Sequence, residues 1–96
     1  MAKFISLVNL TEQGARDFKA SPDRAANFVK MAKKAGVTVR DIYWTMGAYD
    51  VVVIMEAADD EAAVAVMLQL ASLGNVRTQT LRAFDATEMK GIVSKL

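Results

Sequence analysis

Five apolar residues in succession, Val51-Val52-Val53-Ile54-Met55, stand between Tyr49-Asp50 and Glu56. Strand side chains alternate between two faces, so a strand with one face in water reads apolar, polar, apolar. This segment is apolar on both parities, and both faces of its sheet therefore need cover. The rest of the pattern predicts two main helices, enough to cover one face only. The other cover is expected from a second copy of the chain.

Lys3 to Leu10 reads as a first strand, with Phe4, Val8 and Leu10 on one parity and Ile5 and Leu7 on the other. Thr11 to Ala20 reads as a polar connector in which Gly14, Arg16, Asp17 and Lys19 disfavour a long helix. A helix is expected next. Ser21 stands where a cap is needed, Pro22 suits the first helical position, and Asp23 suits the positive end of the helix dipole. Ala25, Phe28, Val29, Ala32 and Ala35 recur at helical spacing as one apolar stripe. Lys33 and Lys34 fall in the last turn, and Gly36 can take the left-handed stop conformation.

Val37 to Met46 is rich in β-branched and aromatic residues and predicts a second strand. The short Gly47-Ala48-Tyr49 turn leads into a third strand, Asp50 to Ala57, so the two should form an antiparallel hairpin. Asp59, Asp60 and Glu61 open a second helix that runs to about Leu73 and stops at Gly74. Consecutive acids at a helix start point in different directions, so this run reads as capping rather than as a metal site. Asn75 to Phe84 reads as a fourth strand. Asp85 and Glu88 have capping-box spacing ahead of Met89, Ile92, Val93 and Leu96, the stripe of a short terminal helix.

The order is β-α-β-β-α-β with a terminal helix, in one domain spanning 1–96. It predicts an α+β, ferredoxin-like fold: a four-stranded antiparallel sheet with helices on one side. The second helix is apolar around most of its circumference, with Val64 and Leu68 on the side away from Val66 and Leu70. That surface suits a partner or the terminal helix, or a small-residue helix tolerating exposure.

Hydrophobic residues make up 53% of the chain, an excess that in a small domain often becomes an interface. Twelve basic and eleven acidic residues leave a net charge of +1 without a basic stripe, which argues against nucleic-acid binding. No apolar run reaches the roughly 20 residues that span a bilayer, and the first residues lack a leader-peptide pattern. A soluble, cytoplasmic protein is expected, with no membrane partner. There is no cysteine and no histidine. Thiolate chemistry is excluded, and the commonest general base and metal ligand are missing, so neither metal nor cofactor is expected.

Proton transfer would then fall to Asp, Glu, Lys or Tyr. Tyr49-Asp50 at the hairpin exit is the leading pair: a phenol beside a carboxylate could bind a polar ligand, or it could merely order the turn. On the fourth strand Thr78, Thr80 and Arg82 share one face and Arg77 points the other way. These arginines could hold a carboxylate or phosphate near the hydroxyls, or pair with Glu56, Asp50 or a second subunit. Arg24, in the first turn of its helix, could reach a loop carboxylate or a bound anion. Tyr43 and Trp44 lie on opposite faces of the second strand, and Trp44 reads as core or interface. The six methionines read as adaptable packing.

The sequence also resembles the GYD-domain family of bacteria. Gly47, Tyr49 and Asp50 would be its name residues, with Ala48 between the first two. The resemblance extends to Thr11-Glu12-Gln13-Gly14, Ser21-Pro22-Asp23-Arg24, Glu56, Asp59-Asp60-Glu61-Ala62, Gly74-Asn75-Val76-Arg77-Thr78 and Thr80-Leu81-Arg82-Ala83-Phe84. It implies a branch of the dimeric α/β-barrel group, in which two ferredoxin-like sheets pack face to face with the helices outside. It assigns no catalytic residue. The expectation is a homodimer or larger oligomer that binds a small organic ligand between sheet and helices, with Tyr49, Asp50, Arg77, Thr78, Arg82 and Arg24 as candidate contacts. The alternatives are a cofactor-independent enzyme, monooxygenase- or isomerase-like, and a purely architectural homo-oligomer.

Overall fold

In the computed structural model, which describes residues 1–96, the alternating apolar residues at the start of the chain form strand β1 (Ala2–Leu10). It is followed by a short helix α1 (Glu12–Arg16), a 3-10 turn at Phe18–Ala20, and helix α2 (Ser21–Lys34). Strands β2 (Val37–Trp44) and β3 (Val51–Ala57), helix α3 (Asp60–Ser72), strand β4 (Val76–Ala83) and helix α4 (Ala86–Val93) complete the chain. The four strands form one sheet in the order β2-β3-β1-β4, and every neighbouring pair is antiparallel. This is the ferredoxin-like arrangement expected from the element order.

The run Val51–Met55 divides between the two sheet faces as strand geometry requires. Val51, Val53, Met55 and Ala57 are buried beneath α2 and α3, together with Phe4 and Val8 of β1. Phe28 and Ala32 of α2, and Ala63, Val66 and Met67 of α3, close this core from above. Ser6 is fully buried among them, and its hydroxyl is paired with that of Thr80 at 3.1 Å, so no polar atom is left unsatisfied there. On the opposite face Ile5, Leu7, Val52 and Ile54 are half-buried beside exposed Leu81 and Tyr43. Both long helices lie on the first face, and the second keeps an apolar centre.

Three local expectations need correction. The connector after β1 is partly helical, because the Thr11 side chain accepts from the Gly14 amide and starts α1. Ser21 is not a helix cap: Ala20 holds that position without a side-chain bond, and the Ser21 hydroxyl is engaged by the Trp44 indole N–H at 3.0 Å. A tertiary contact has taken the oxygen that local chemistry would have used. The remaining ends follow the sequence. Gly36 and Gly74 stop α2 and α3 with positive φ, and Asp59 caps α3 through the Ala62 amide. Of the α2 stripe, Val29 and Ala35 are exposed, and Met31 joins the core in their stead.

Helix α4 carries the expected capping box between Asp85 and Glu88. Lys3 ties it to the sheet through both carboxylates, each at 3.2 Å, while Met89, Ile92, Val93 and Leu96 remain exposed. Glu56 pairs with Arg40 across the β2–β3 ladder, rather than with Arg77 or Arg82.

These contacts set the pH response. The capping-box amides, and then Lys3, hold the Asp85 and Glu88 carboxyls below their ordinary values of 3.8 and 4.5. Arg40 does the same for Glu56, and Asp85 and Glu88 raise the Lys3 amine above 10.5. A lowered carboxylate stabilises the fold above its unfolded value and ceases to as pH falls through the folded one. A raised lysine stabilises below its unfolded value and ceases to at higher pH. With no histidine, thermal stability followed by circular dichroism should be flat from about pH 6 to 8 and fall below about pH 4. A steep transition between pH 6 and 8 would contradict this assignment.

Candidate functional site

The segments Thr11–Gly14 and Gly74–Asn75 meet in one knot. The Thr11 amide donates to the Asn75 carbonyl at 3.0 Å, and its hydroxyl to the Gly74 carbonyl at 2.6 Å. The Gln13 amide reaches Leu73 O at 3.2 Å and Asn75 Oδ1 at 2.9 Å. Gly14 is pressed so closely on Asn75 that a Cβ there would overlap its carbonyl oxygen. Arg24 joins from α2, donating to Gly14 O at 3.2 Å and Asp17 O at 2.9 Å, with the Asp17 carboxylate 3.9 Å away. These segments are thus locked together at one end of the sheet, and Arg24 is held by backbone carbonyls, with the largely exposed Asp17 as its one long ion pair.

Asp50 works as a ladder extension. Its amide donates to Val8 O at 2.8 Å, and its carboxylate accepts from the Leu10 amide at 2.8 Å, where a backbone carbonyl would otherwise be needed. The six residues between β2 and β3 turn at Gly47, whose φ of +107° excludes most side chains. Thr45 bonds back to the carbonyls of Asp50 and Tyr49. The Tyr49 hydroxyl crosses to Gln79 Oε1 at 3.2 Å, on the face away from the helices.

The β4 residues are dispersed. Arg77 lies on the face away from the helices and bonds its own neighbour's carbonyl, Val76 O, at 3.1 Å. Thr78 lies opposite Val8 on the helix face. Arg82 lies at the far end of the strand between the rings of Phe4 and Phe84, at 5.5 and 4.5 Å, and 3.6 Å from Asp60. Tyr49, Asp50, Arg77, Thr78 and Arg82 therefore share no cavity.

Arg24 does line one. Helix α2 packs over β2, and α3 over β3 and β4, so the strip of sheet at Val8, Val51 and Val53 lies between the two helices. A cavity of about 430 Å³ opens there, and 12 of its 16 lining residues are hydrophobic. Ala25, Phe28 and Met31 form the α2 wall, Leu70 and Leu73 the α3 wall, and Ile42 and Trp44 the β2 side. Its polar members are Ser21, Arg24, Asn27 and Asn75. An apolar cleft with few polar groups is the usual form of a small-molecule site. Of this lining, Arg24 stands out in the sequence as a candidate contact, Asn27 and Asn75 do not, and Trp44 has the pattern of a core or interface residue. The opening depends on how the two helices sit on the sheet, and no residue spacing reports that. Among the acidic residues no cluster could hold a metal ion.

A ferredoxin-like α+β domain with a cleft between its helices and sheet is a frame that many unrelated proteins share. The chain belongs to the GYD domain family, which it matches over residues 4–93. A Thermus thermophilus protein named glutamine synthetase and cystathionine beta-lyase binding protein is 36% identical over 90 residues, 93% of this chain and 95% of that one. A crystal structure of a protein from Thermus thermophilus aligns with a TM-score of 0.59 at 26% identity, over 90% of this chain and 96% of that one. The C-terminal domain of MgtC from Mycobacterium tuberculosis aligns with a TM-score of 0.56 over 85% and 86% of the two chains. At 11% identity that likeness carries the fold alone. No helix of the chain is long and apolar enough to cross a membrane.

Proposed function

We propose that this protein is a self-associating binding protein that takes a small organic ligand in the cleft between α2, α3 and the sheet. The observation that carries this reading is the cleft itself: about 430 Å³, walled by apolar side chains, with Arg24 at its rim. Arg24 is the ligand contact in this proposal. Asp50 and Thr78 serve the fold, and Tyr49 and Arg77 belong to the face where two copies meet. Pairing of two sheet faces would cover Ile5, Leu7, Val52 and Ile54, an apolar centre of the kind stable interfaces have, within an expected total of roughly 1,000 Å² or more.

The test is to fill the cleft. Ala25 lines it from α2 and is half-buried, so Ala25→Phe puts a ring into the space at little cost to the helix. In a thermal-shift screen of small carboxylates, phenols and phosphates, wild-type protein should be stabilised by some members and Ala25→Phe by none. Equal stabilisation of both would remove the cleft from the binding site.

A second reading rests on the Thermus relative, which is named for binding two enzymes. Val64 and Leu68 stand 55% and 66% exposed on the outer face of α3, where a protein partner could dock. On that reading Leu68→Lys weakens binding to a metabolic enzyme and leaves the ligand response intact. An enzymatic role through Tyr49 and Asp50 is the remaining alternative. It would have to use the Asp50 Oδ1 atom, because Oδ2 accepts from the Leu10 amide.

A further inference from the structure

We infer, resting on the reading of the cleft as a ligand site, that its occupant is a small organic carboxylate with an apolar body. Arg24 is the one charged residue in the lining, and no acid faces it across the cavity. Its guanidinium is fixed by two carbonyl acceptors, Gly14 O and Asp17 O, which orient the fork without neutralising it. The only carboxylate nearby, that of Asp17, is 3.9 Å away with 73% of its side chain in water, so it screens Arg24 weakly. The remaining guanidinium N–H groups are left to donate.

The amides collect at the same end. Asn75 takes the Gln13 donor on Oδ1, which leaves its NH₂ group to donate, and Asn27 lines the cavity from α2, three residues on from Arg24. One fixed arginine and two amides suit a singly charged, planar acceptor. A phosphate dianion would call for more positive charge than this wall carries. Beyond this rim the surface is formed by Phe28, Met31, Val51 and Val53. A cationic ligand would meet Arg24 as a like charge, and a neutral one would gain the apolar contacts alone. The Trp44 ring is held at the cleft by its bond to Ser21, and a flat or branched hydrocarbon body would lie against it.

Trp44 is the only tryptophan in the chain, so its emission reports the cleft directly. Wild-type protein is titrated with phenylacetate, 3-phenylpropionate and octanoate, with the amide of each, and with 3-phenylpropylamine. At least one acid should change the emission saturably, with its amide about tenfold weaker or worse and the amine inactive. Arg24→Gln should bring acid and amide to the same affinity, and Arg24→Lys, which keeps the charge but not the fork, should fall between. The acid–amide comparison is made on wild-type protein and stands even if a variant fails to fold. An amide that binds as well as its acid overturns the carboxylate assignment and leaves the cleft a ligand site. Absence of a saturable change with all three acids overturns the assignment as well. If Ala25→Phe then also responds like wild type in the thermal-shift screen, the ligand reading falls with it.

Discussion

Val53→Asp should give no folded protein, whereas Val52→Asp, one residue away, should fold poorly but detectably and fail to associate. Val53 is 3% exposed in the core between the sheet and both helices. A carboxylate there is set among the apolar side chains of the core, and it must remain charged at a cost or bind a proton. Substitutions of this kind cost about 4 kcal/mol or more, a large part of a domain stability of about 5–15 kcal/mol. Val52 points to the other face, beside Leu7 and Tyr43 in the register. Its carboxylate can reach water in a single chain but not in a paired sheet, so the loss is of association first and of stability through it. Circular dichroism and sedimentation together read the pair. Val52→Asp that sediments and melts like wild type would remove the sheet face from any interface.

Gly14→Ala is the second large effect. The added methyl meets the Asn75 carbonyl, which cannot move without breaking the Thr11 amide bond and displacing Gly74. Lost hydrogen bonds and overpacking together should cost about 2–4 kcal/mol. Gly91→Ala is the control, because its site in α4 is open, and there the same change should stabilise by about 0.5–1 kcal/mol. Urea unfolding of both variants measures the contrast. A Gly14→Ala protein as stable as wild type would mean that the knot around Asn75 is loose.

The fold is largely legible in the sequence because its signals are local. The doubly apolar run at Val51–Met55, the acids before Ala62, the glycines at 36 and 74 and the Asp85–Glu88 spacing each specify an element by chemistry within a few residues. Legibility ends where distant residues meet. Ser21 has the composition of a cap and lies 23 positions from Trp44, which claims its hydroxyl. Glu56 pairs with Arg40 of the neighbouring strand β2, because β1 separates β3 from the arginines of β4. The candidate site suffers most. Arg77, Thr78 and Arg82 are close in sequence, yet strand alternation and length send them to different faces and ends of the sheet. Arg24 is legible as a charge misplaced for its helix dipole, and the cavity it lines is not.

Self-association and ligand binding make up the central claim, and native mass spectrometry of freshly purified protein reads both in one spectrum. A dimer, or a multiple of it, is expected, retaining small-molecule mass of up to one ligand per chain, with that mass absent from Ala25→Phe. A monomer at micromolar concentration with no retained mass and no gain on adding any of the three acids would contradict it.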